Sequence, residues 1–127
     1  MKTLHLTISK QWFDMIVAGI KRKEYREIKR YWSRRLFDKP SIDAVFAMVL
    51  GHMPKATKPI GFDRVHLTNG PYSYTPGKTK GKVLPYAILE FKGLTIGNPN
   101  PEWVPDGVTD PHFAIEFGEL IETNVEL

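Results

Sequence analysis

Between positions 19 and 26 the chain reads Gly19-Ile20-Lys21-Arg22-Lys23-Glu24-Tyr25-Arg26, with cations on both sides of one carboxylate. Arginine presents a planar fork of donors that fits a phosphate or a base edge, and lysine a mobile point charge. Lys21 and Arg26 therefore suit an anionic ligand. Glu24 can hold them as a counter-charge, accept from a nucleobase amino group, or serve as a general base. Exposed aromatic rings would complete such a site by stacking on bases, an interaction worth about 1–3 kcal/mol per base. Tyr25, Tyr72, Tyr74 and Trp103 are the candidates. Trp12 and Trp32 lie on apolar stripes and read as core. The same charges also fit a plain surface ion-pair network, which contributes little energy.

Other chemistries find less support. Gly77-Lys78-Thr79 imitates a phosphate loop, but that motif needs a glycine at position 72, which is Tyr. With no cysteine there is no thiol nucleophile, disulfide or cysteine-ligated metal. The four histidines, at 5, 52, 66 and 112, lack metal-ligand spacing, so a zinc site would have to be assembled from distant His and acids. No Gly-x-Ser-x-Gly elbow is present. The sequence thus predicts no metal and no cofactor.

The elements that must position the motif follow from periodicity. Leu4, Leu6 and Ile8 alternate with His5 and Thr7, the pattern of a strand with one buried face. Trp12, Phe13, Ile16, Val17 and Ile20 then form the stripe of an amphipathic helix, with Ser9 as N-cap and Gly19 as its stop. The spacing predicts a short polar strand over Lys23 to Ile28. Alternation there puts Glu24 and Arg26 on one face; Lys21 has the opposite parity to Glu24, so convergence of all three requires the turn at Gly19 and Ile20 to redirect it. A brief helix follows over Tyr31 to Phe37, with Tyr31, Trp32 and Leu36 able to cover the core. The apolar run Ile42 to Leu50 fits a buried strand or a helix equally. Phe62, Val65 and Leu67 open another strand, Asn69-Gly70-Pro71 is a turn signal, and Gly77 to Lys82 reads as an exposed loop. Leu84 to Ile96 and His112 to Glu122 complete the strands, separated by a Pro/Gly-rich loop that carries Trp103.

Strands joined by turns, without regular strand–helix alternation, predict an α+β fold: a small mixed β-barrel with a helix after the first strand and short peripheral helices. A length of 127 residues suits a single domain over 1–127. No apolar run approaches the roughly 18 residues of a membrane span, and Met1 to Ser9 lacks the pattern of a signal peptide. The expected setting is cytoplasmic, without a membrane partner.

The octapeptide resembles the ASCH-domain signature Gly-x-Lys-x-x-Glu-x-Arg. Trp12-Phe13-Asp14-Met15-Ile16 is similar to that family's first helix, and Tyr31-Trp32 with Arg35-Leu36 to the segment after the motif. Thr68-Asn69-Gly70, the run Phe91 to Gly97, Pro101-Glu102-Trp103 and Phe113 to Ile121 resemble its small phage- and prophage-associated branch. Residues 41–61 and 72–83 match nothing in it. The resemblance implies a PUA-like barrel, a partner that is RNA, a nucleotide or a modified nucleoside, and a cleft near Asn69 built on Lys21, Glu24 and Arg26.

Access to that cleft would run over the basic segment that carries Arg30, Arg34 and Arg35. The resemblance also implies three activities: RNA binding, ribonuclease action and deacylation of N4-acetylcytidine. In the last, a lysine and a neighbouring hydroxyl residue supply nucleophile and base. Lys21 matches the lysine, but Glu24 stands at the hydroxyl position, and a carboxylate there stabilises the unreactive ammonium. Binding is therefore the first expectation; a hydrolase using Lys21 and Glu24, with Glu24 as base toward water, is the alternative.

Charge patterning agrees with a polyanionic partner. Residues 21 to 39 carry nine basic against three acidic side chains, whereas residues 100 to 127 have seven acids and no Lys or Arg. A polyanion would be drawn to the first stretch and repelled by the second. A solvated charged face has the same composition.

Overall fold

The computed structural model describes residues 1–70 and 84–126. Its elements are β1 (Thr3–Ile8), α1 (Lys10–Val17), β2 (Lys23–Glu27), α2 (Arg30–Leu36), α3 (Ile42–Val49), β3 (Arg64–Asn69), β4 (Tyr86–Gly97), a 3-10 turn (Pro101–Trp103) and β5 (His112–Thr123). The strands form one mixed sheet in the order β1-β3-β4-β5-β2. β1 and β3 run parallel, whereas β3 with β4 and β2 with β5 are antiparallel. The α+β class expected from the sequence is what the chain adopts. Tyr72, Tyr74 and the Gly77 to Lys82 loop lie outside the described residues.

The residues pack as two compact units: Met1–Arg22 with Phe62–Lys92 and Phe117–Leu127, and Lys23–Gly61 with Gly93–Glu116. In the first, Leu4, Leu6 and Ile8 of β1 bury the face that alternation assigns them, beside Val65 and Leu67 of β3. Phe13 and Ile16 of α1 are buried in the same unit. Gly19 ends the helix at φ +78°, a left-handed conformation that costs an L side chain energy and glycine little. Ser9 has the extended backbone of an N-cap, but its side chain makes no capping bond; its carbonyl accepts from the Phe13 N–H instead. Ile20, placed by spacing on the apolar stripe, is 61% exposed because the chain has already left the helix.

In the second unit, β2 pairs with the first half of β5, Glu24 opposite Ile115 and Arg26 opposite Phe113. Phe37 and Phe113 pack with tilted rings in its core, centres 6.0 Å apart, where Leu36, Met48, Val104 and Ile115 are also buried. The undecided run at 42 is a helix. Ser41 fixes its start by accepting from the Ala44 N–H, and Ala44 and Met48, one turn apart, bury its inner face. Tyr31, expected to cover the core, is instead 57% exposed. Ser33 takes an inner position on α2, and its hydroxyl donates back to the Lys29 carbonyl at 2.8 Å.

Candidate nucleic-acid interface

Among the described residues, Lys21 and Glu24 are the only buried charged side chains, 2% and 5% exposed. Both come from the octapeptide that follows the α1 stop. Glu24 and Arg26 share one face of β2, as alternation requires, and Arg26 donates to a Glu24 carboxylate oxygen at 3.1 Å. Glu24 also accepts from the N–H of Tyr25. The guanidinium carbon of Arg26 lies 4.9 Å from the centre of the Trp32 ring, so β2 and α2 meet through a cation–π contact.

Arg35 extends this arrangement along α2. It lies 5.6 Å from the Trp32 ring and 5.5 Å from Tyr31, and donates to the Tyr31 hydroxyl at 3.1 Å. Tyr31 and Trp32 meet edge to face. The second unit thus presents Glu24, Arg26, Trp32, Arg35 and Tyr31 as one connected series of charge and ring. Arg30 and Arg34 are exposed on the same helix, one turn apart.

Lys21 belongs to the first unit. Its ammonium lies 4.4 Å from the centre of the Trp12 ring. Lys21, Arg22 and Lys92 line a cavity of about 380 Å³ together with Glu119, against an apolar wall that includes Ile16, Leu89 and Phe117. Three cations against one carboxylate leave the lining net positive, which suits an anion with a flat, poorly hydrated body. A 560 Å³ cavity in the second unit has the opposite character, with Glu27, Asp110 and His112 on its lining and no Lys or Arg. A polyanion is disfavoured there.

Three predicted site residues are placed differently. Tyr25 has the opposite parity to Glu24 and Arg26 on β2, and its hydroxyl accepts from the Asn100 N–H at 3.2 Å, anchoring the loop after β4. Trp103 is half-buried in the 3-10 turn of that loop. Asn69 is not a left-handed turn residue. It ends β3 in register with Ile8, and its N–H donates to the Pro85 carbonyl at 2.9 Å. Conversely, Trp12 and Trp32, read from sequence as core, are the two rings that carry the motif cations. A signal was available for Trp32, since it stands in a helix with four cations within three residues on either side.

No protein-family model matches this chain, and no curated protein or solved structure is significantly similar to it.

Proposed function

We propose that this protein is an ASCH-like, PUA-like barrel domain that binds RNA or a nucleotide, using Lys21, Glu24, Arg26 and the basic face of α2. The burial of Lys21 and Glu24 carries the reading. Removing an ionised group from water costs several kcal/mol, and an apolar residue would fill the space more favourably. A chain that keeps charges there, in a spacing shared with a nucleic-acid-binding family, keeps them for chemistry. The indole rings under both motif cations support the same conclusion, because they hold the donors in place and offer faces to a base.

Fluorescence anisotropy with a labelled single-stranded RNA tests this. Affinity should fall steeply between about 50 and 200 mM salt. The double variant Arg34→Ala/Arg35→Ala should flatten the slope of log K against log salt by about 1.4, or 0.7 per lost phosphate contact. Absent binding, or binding indifferent to salt, would overturn the proposal.

The hydrolase reading rests on the burial of Lys21, since a desolvated lysine is the kind that acts as nucleophile or base. The Trp12 ring favours the ammonium form and so places binding first. Release of acetate from N4-acetylcytidine or cleavage of RNA, lost in Lys21→Ala, would reverse that order; no turnover at high protein concentration removes the hydrolase.

A further inference from the structure

We propose that His5 and His66 form a chelating site for a late first-row divalent cation, Zn²⁺ or Cu²⁺, on the outer face of the β1/β3 pair. The two residues are 61 positions apart, yet the parallel register sets them directly opposite each other. Their neighbours Leu4, Leu6, Val65 and Leu67 are buried, so alternation turns both imidazoles to the other face of the sheet. Their ring centres lie 5.1 Å apart. Two imidazole nitrogens about 2.1 Å from one zinc ion, at a tetrahedral angle to each other, put the ring centres about 5 Å apart. The paired register therefore holds the two rings at a centre-to-centre separation compatible with chelation.

The Glu122 carboxylate places negative potential at the pair, and it accepts from the Tyr86 hydroxyl at 2.5 Å. The Tyr86 ring packs 5.4 Å from His66 and limits its rotation. Among the described residues no three His, Cys, Asp or Glu side chains cluster as a closed metal site. Water completes the coordination, so the ion exchanges and is not required for folding. Copper should bind more tightly than zinc, as the general order of divalent affinities dictates.

The test is a Zn²⁺ titration of the full chain, followed by NMR of the imidazole resonances. His5 and His66 signals should shift together while His52 and His112 stay in place, and Mg²⁺ should have no effect. His5→Asn, a change at an exposed position, should weaken Zn²⁺ affinity about tenfold or more. Shifts confined to His52 or His112, no shift at all, or unchanged affinity in His5→Asn would each overturn the site.

Discussion

Arg26 is held by two dissimilar partners, a carboxylate on its own strand and an indole on the next helix, and the two can be separated by substitution. With side chains only 13% and 7% exposed, Arg26 and Glu24 form a largely desolvated pair. Arg26→Ala leaves the Glu24 carboxylate buried with this bond broken and should lower unfolding free energy by about 3 kcal/mol. The double variant Glu24→Leu/Arg26→Met should cost less than that single change, because both charges leave together. Urea denaturation of the set decides. A loss of under about 0.5 kcal/mol for Arg26→Ala would mean that the pair is screened by water and carries no functional burial. The pairing itself was legible, since residues two apart on a strand share a face. The rings were not: a Trp on an apolar stripe gives one and the same signal whether it sinks into the core or lies half-covered under a cation.

Helix starts show what an element's sequence pattern does and does not determine. Ser9 and Ser41 both precede an apolar run and both adopt extended backbone, yet only the Ser41 side chain accepts an N–H, that of Ala44 at 3.1 Å. Ser41→Ala should therefore cost about 1 kcal/mol, the usual worth of an N-cap bond. Ser9→Ala should cost a small fraction of it, and equal losses in thermal melts of the two variants would contradict the assignment. Composition could not separate the two serines, because residue type and backbone conformation are the same at both. Strand β1 and the stop at Gly19 followed directly from alternation and from glycine's tolerance of positive φ. The run at 42 stayed open because every residue from Ala44 to Leu50 is apolar, so period 2 and period 3.6 both fit; the cap at Ser41 and the one-turn spacing of Ala44 and Met48 settle it.

At the scale of the whole molecule, β4 and β5 are each twelve residues long and thread both compact units, an arrangement that no local pattern announces. The charge asymmetry was fully legible, and the register that joins distant histidines was not, because parallel pairing is set by long-range packing. That register gives global stability a pH dependence. His66 faces His5 on β1, Tyr86 on β4 and the Glu122 carboxylate on β5; Arg64, two residues away on β3, shares its strand face. Burial is the largest influence on His66 and His5 the next, and both hold its folded-state value below 6.5 against the opposing pull of Glu122. Between that lowered value and 6.5 the unfolded chain binds more protons than the folded one, so stability rises with pH across the interval. It is fully present above 6.5 and is lost as pH falls through the folded value. Denaturant titrations between about pH 7.5 and 5 should show this decline, and His66→Gln should remove part of it relative to the parent chain. A slope identical in the two proteins would show that His66 takes up its proton as readily folded as unfolded.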